Sequence, residues 1–88
     1  MRVVMANYLV VVEETIGAAG TQVTLLRELG NRDPGEARKR LLEEAKKYRP
    51  AGWEKPPFVC REGSDAFWLV PRGGKRHGHC VIRLRESL

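Results

Sequence analysis

The chain predicts an α+β domain in which a single helix packs on an antiparallel sheet of about five strands, in the order ββαβββ. Three observations carry this. Residues 33–49 hold the one clean helical period, opened by Asp33-Pro34 and closed by Pro50. The segments on either side alternate apolar and polar residues with period two, or run as short β-branched stretches. Turn residues punctuate those segments at hairpin spacing, so successive strands fold back antiparallel.

The first strand is Tyr8-Leu9-Val10-Val11-Val12-Glu13, apolar on both faces and so suited to a strand covered on both sides. Ile16 to Gly20 is a small, glycine-bounded hairpin connection. Thr21 to Leu29 is the second strand, with Val23 and Leu25 pointing one way and Thr24 and Leu26 the other. Gly30-Asn31-Arg32 ends it. Asp33 is a good helix N-cap, Pro34 fits the first helical position and Glu36 completes a capping box. Ala37, Leu41, Leu42, Ala45 and Tyr48 then share one face, and Arg38, Lys39, Glu43, Lys46 and Lys47 take the other. So short a helix does not hold in water alone, and its apolar stripe must dock on the sheet.

A proline-rich loop containing Trp53 follows, from Pro50 to Pro57. Phe58 to Glu62 is the third strand, turned by Gly63-Ser64-Asp65 into the fourth, Ala66 to Val70, which Pro71 stops. After an Arg72-Gly73-Gly74-Lys75 turn, Arg76 to Arg85 forms the fifth. There Cys80, Ile82 and Leu84 alternate with His79, Val81, Arg83 and Arg85.

Eighty-eight residues make one domain, spanning 1–88, with room for one modest core. Hydrophobic content of 42% and charged content of 31% are those of a folded chain and exclude a disordered one. The longest apolar run, Tyr8 to Val12, is far short of the ~20 residues of a membrane span, so no membrane partner is expected. Glu13 and Glu14 arrive before any cleavage-like site, which argues against a signal peptide. Cys60 and Cys80 do not make a disulfide framework, and their alternation with Val59, Arg61, Val81 and Arg83 reads as a pair of buried thiols. A cytoplasmic location is the expectation. Met5-Ala6-Asn7 reads as a second translation start, which makes residues 1–6 a dispensable N-terminal extension.

The sheet has more apolar surface than one helix can cover. Tyr8, Val10 and Val12 oppose Leu9 and Val11, and Phe67 and Leu69 oppose Trp68 and Val70. The second face must curl on itself, pack under the Trp53 loop, or meet a protein partner or a second copy of the chain.

Net charge is +5 and uneven: −1 over residues 1–33, +3 over 34–49, −1 over 50–70 and +4 over 71–88. The positive charge lies on the helix and the last strand. Lys39, Lys46, Lys47, Arg72, Lys75, Arg76, His77, His79, Arg83 and Arg85 are therefore the candidate basic binding surface, which suits nucleic acid or an acidic protein and equally suits a solvated face. Trp53, Phe67 and Trp68 add a base-stacking reading if they stand on an open sheet, although aromatics on strands are usually core.

His77-Gly78-His79-Cys80 is the most chemically suggestive cluster. On a strand the two histidines share a face, where they could chelate a metal or do acid–base work on RNA, with Arg72, Lys75, Arg76, Arg83 and Arg85 to steady a phosphate. Zinc wants three or four ligands and the sequence supplies no further pair at a ligating spacing. A charged edge strand that resists edge-to-edge pairing accounts for the same residues. Arg72-Gly73-Gly74-Lys75-Arg76 lacks the spacing and the following helix of a phosphate loop. No catalytic residue, cofactor or metal is assigned.

Tyr8-Leu9-Val10-Val11-Val12-Glu13-Glu14, a glycine-rich turn, a strand, and Asp33-Pro34-Gly35-Glu36-Ala37 ahead of an Ala/Leu/Glu helix resemble the N-terminal half of HicB-like antitoxins, over residues 8–48. That resemblance implies a domain that binds and neutralises a small ribonuclease. The family's Gly-Cys strand between the second strand and the helix has no counterpart here, and the C-terminal half is strand-like rather than a DNA-binding helical segment. Arginine outnumbers lysine 11 to 5, and the whole chain resembles small proteins of high-GC bacteria. The expected function is a non-enzymatic regulatory or binding role through a protein surface. Nucleic-acid binding by the basic helix and last strand comes second, and a small ribonuclease or metal protein built on His77 and His79 third.

Overall fold

A computed structural model of the chain describes residues 4–15, 20–73 and 79–88. It has the predicted class and element order: β1 (Ala6–Thr15), β2 (Thr21–Arg32), α1 (Pro34–Lys47), β3 (Phe58–Glu62), β4 (Ala66–Val70) and β5 (Cys80–Ser87). The strands form one antiparallel sheet in the order β2-β1-β5-β4-β3. Two hairpins, β1–β2 and β3–β4, thus lie at opposite ends, and β5 joins them. Leu84 N–H donates to the Asp65 carbonyl at 2.8 Å, fastening β5 to the β3–β4 turn, where Gly63 supplies a φ of +64°.

β5 is therefore not an edge strand. It pairs with β1 along Asn7–Glu14 and with β4 at Ala66–Trp68, so its cations do not guard a free edge. The free edges belong to β2 and β3.

The second strand runs three residues past Leu29, to Arg32. Two register shifts make this possible, between Tyr8 and Leu9 and between Val10 and Val11 of β1. Each places one extra β2 residue opposite the shift, Leu29 and Leu26. Both extra leucines join the core, Leu29 fully buried and Leu26 packed against it. Gly30, with φ +76°, follows Leu29 at the Tyr8/Leu9 shift.

The helix takes the predicted N-cap but only half of the predicted capping box, since the Glu36 carboxylate lies 3.5 Å from Arg32 instead. Asp33 takes the extended N-cap conformation and its carboxylate accepts from Glu36 N–H at 3.1 Å. Tyr48 leaves helical geometry at the C-cap. The helix covers the face formed by Val10, Val12, Phe67, Leu69, Ile82 and Leu84, against which Ala37, Leu41 and Ala45 are buried. Glu44 is buried too, which its charge did not suggest. It is held 3.1 Å from Arg27 of β2 and 3.8 Å from Arg40. Arg38 ties the outer side of the helix to Asp65 at 3.0 Å.

The Trp53 loop packs on this same helix-side core. It leaves the opposite sheet face uncovered, and Leu9 and Val11 there are only half-buried. β1 is thus closed on one side rather than two.

Candidate functional site

The open face follows from strand alternation. Residues whose neighbours in sequence point at the helix must point away from it. In register across the sheet this gives a row of Val23, Glu13, Val81, Trp68 and Cys60, and beside it a row of Leu25, Val11, Arg83, Ala66 and Glu62. Large apolar groups stand in solvent on both flanks. Val23 is 62% exposed and Leu25 52% on the β2 side, and Phe58 is 47%, Val70 39% and Trp68 37% on the β4–β3 side. Val81, at the middle, is fully buried beneath its neighbours.

Between the flanks lies a compact polar group. The Glu13 carboxylate lies between two side chains, with His79 Nε2 at 3.4 Å from one oxygen and the Arg83 guanidinium Nε at 3.5 Å from the other. The His79 and Trp68 rings meet edge to face with centroids 4.8 Å apart. Arg85 continues the line beyond Arg83. At the outer corner the Arg72 guanidinium lies over the Phe58 ring, 3.9 Å from its centroid, and donates to the Pro56 carbonyl at 3.1 Å. A shallow recess of about 350 Å³ opens beside Glu62, Ala66, Arg83 and Arg85.

The sequence-predicted basic residues do not gather on one side. Lys39, Lys46 and Lys47 stand exposed on the outer side of α1, and Lys46 and Lys47 sit in its last turn, where they complement the helix dipole. His79, Arg83 and Arg85 point from the other side of the sheet, with Arg72 at the corner. Lys75, Arg76 and His77 lie outside the described residues. The helix cations and the β5 cations are separated by the thickness of the domain. The aromatic trio separates as well: Phe67 is core and Trp53 packs on the core, so only Trp68 of the three is free to stack.

The cysteines differ from each other. Cys60 is exposed, because it stands on the open face of an edge strand. Cys80 is buried under the helix, opposite Glu14, and its thiol is pushed up to about 12 by burial and then by the Glu14 charge. It stays protonated and inert at neutral pH. Glu14 also accepts a hydrogen bond from the Tyr48 hydroxyl, and burial together with that carboxylate holds the phenol well above its usual range. Glu14 and Tyr48 line a cavity of about 180 Å³ between the helix end and β1–β2, along with Val12, Gln22, Thr24 and Leu26.

Among the described residues no three His, Cys, Asp or Glu side chains converge as a metal ion requires. His79 faces Glu13, while Cys80 points to the opposite layer and Cys60 stands on β3, two strands away. Among the described residues, too, no helix is long and apolar enough to cross a membrane. The chain matches no protein-family model, no curated protein and no solved structure.

Proposed function

We propose that the chain is a non-enzymatic binding protein that acts through a protein–protein contact on its open sheet face. The observation that carries this reading is the set of exposed side chains on that face, Val23, Leu25, Phe58, Trp68 and Val70, in a layer whose other side is already closed by the helix. Exposed apolar area beside charge is the mark of a contact surface, and an exposed tryptophan such as Trp68 is a usual energetic anchor. The order of elements over residues 8–48, with its likeness to a domain that holds another protein, supports the same reading.

Nucleic-acid binding is the second reading. It is favoured by the exposed Trp68 ring standing on an open sheet with Arg83 and Arg85. The two readings part on salt. Phosphate contacts release counterions and weaken steeply as salt rises, whereas apolar burial does not. Mixed single-stranded oligonucleotides titrated at low salt are expected to leave Trp68 fluorescence unchanged. Association with protein is expected to survive high salt, to be lost in Trp68→Glu, and to be kept in Lys46→Glu on the helix face. Salt-sensitive oligonucleotide binding that Trp68→Glu removes would overturn the first reading in favour of the second.

A further inference from the structure

We infer that the open face carries a proton gate: it accepts a partner while the His79 imidazole is neutral and turns it away once His79 is protonated. This rests on the protein-contact reading above and names the regulation of that same face. Placement is the first ground. Strand alternation puts His79, Val81 and Arg83 on the open side of β5, and Glu13 stands opposite Val81 on β1. The Glu13 carboxylate therefore lies between the other two side chains, 3.4 Å from His79 Nε2 and 3.5 Å from Arg83 Nε. The His79 carbonyl accepts from Thr15 N–H at 2.9 Å, which ties its backbone to β1. Its ring meets the exposed Trp68 ring edge to face, with centroids 4.8 Å apart. A partner that covers Trp68 covers His79 with it.

Charge is the second ground. While His79 is neutral, Glu13 and Arg83 cancel, and the middle of the face leaves water as a neutral pair. A proton on His79 leaves one carboxylate facing two cations. No further acid stands by to offset the extra charge. From β1 the ring faces Glu13, with the apolar Val23 of β2 beyond it. From β4 it faces the uncharged Trp68, with the Cys60 thiol of β3 beyond. Along β5 itself come Arg83 and then Arg85, both basic. The segments outside the described residues leave this count intact: residues 1–3, 16–19 and 74–78 contain no Asp or Glu, and Lys75, Arg76 and His77 only add positive charge. The apolar flanks, with Leu25 on one side and Phe58 and Val70 on the other, match an apolar partner surface, which supplies no counter-charge. Taking an uncompensated charge out of water beneath such a surface is costly. An imidazole changes charge between about pH 5 and about pH 8. Contact therefore strengthens as pH rises through that window and weakens as it falls, and covering the face drives the proton off.

The test uses Nile red, a neutral apolar dye that does not change charge in this window, as the covering surface. Affinity is read from the dye's emission, and its place from the quenching of Trp68 in a Trp53→Phe background. The dye is expected to cover Trp68 at about pH 8 and to bind about tenfold more weakly at about pH 5.5, since release of one proton moves log affinity by up to about one per pH unit. In the unaltered chain, followed by NMR, saturating dye is expected to move the midpoint of His79 proton uptake to lower pH. His79→Gln is expected to bind at both pH values as the parent does at the higher one, and His77→Gln to keep the pH dependence. The NMR arm needs no variant, so a misfolded one does not block the test. Dye that covers Trp68 equally well at both pH values, or better at the lower one, overturns the inference and leaves the protein-contact reading standing. A pH dependence that survives in His79→Gln overturns it too. Dye that leaves Trp68 fully exposed at every pH overturns both.

Discussion

At the scale of single residues, Glu14 couples two groups that titrate above neutrality. Its carboxylate accepts from the Tyr48 hydroxyl and lies across the β1–β5 ladder from Cys80. Burial first, and this charge second, keep the Cys80 thiol protonated up to about pH 12, while a thiol in an unfolded chain titrates near ~8.5. Tyr48 shifts in the same direction, through burial and then its bond to Glu14. Above the unfolded pKa values the unfolded chain sheds protons that the folded chain keeps, so stability that is full at neutral pH declines as pH rises. Urea unfolding between about pH 8 and about pH 11 is expected to show stability falling with a slope that grows toward two protons. Cys80→Val is expected to remove one of the two. Nothing in the local sequence marks this trio, because Glu14, Tyr48 and Cys80 belong to three different elements. The buried state of Cys80 was legible from its alternation with Val81 and Arg83. The exposed state of Cys60 was not, because it depends on β3 being an edge.

At the scale of elements, the helix holds the layers together. Its N-cap, its start and its apolar stripe were legible, because they are local chemistry: Asp33 as a side-chain acceptor and Pro34 at the first turn; its end comes at Lys47, two residues before the expected Arg49, with Tyr48 already extended. Burial of Glu44 was not legible, since the two arginines that offset its charge come from β2 and from the preceding turn of the helix. The register shifts in β2 were hidden for a similar reason. An extra residue leaves the period-two reading of each half intact and appears only when the strand is laid against β1. Leu41 is fully buried at the centre of the helix–sheet contact. Leu41→Ala is expected to cost about 2–5 kcal/mol in urea denaturation, a large share of the stability of so small a domain. Val23→Thr, on the open flank of β2, is expected to cost about 0.5 kcal/mol or less in the same assay. Comparable losses at both positions would mean that the open face contributes to the monomer's own core.

At the scale of the whole molecule, the decisive feature is that the last strand lies in the middle of the sheet. Hairpin punctuation showed that β1 meets β2 and that β3 meets β4, because those pairings are local. It could not show what joins the hairpins, and the basic residues of β5 read naturally as the guard of a free edge. In the fold β5 brings Ile82 and Leu84 to the helix side and Val81 to the other, all three buried, while Arg83 is neutralised by Glu13 across the strand. The core is therefore incomplete until the C-terminal segment docks, and it docks between elements that are distant in sequence, β1 above all. Non-local pairing of this kind slows folding and makes it cooperative. A chain ending at Val70 keeps both hairpins and the helix yet has no strand to join them, and an isolated two-stranded hairpin is at best marginally stable. It is expected to show no cooperative thermal transition. The missing segment, residues 71–88, added as a separate peptide, is expected to restore the transition in proportion to its concentration, because binding that occurs only in the folded state is linked to stability. A cooperative transition without the peptide would mean that the β1–β2–α1 unit folds by itself and that β5 only lines an existing core.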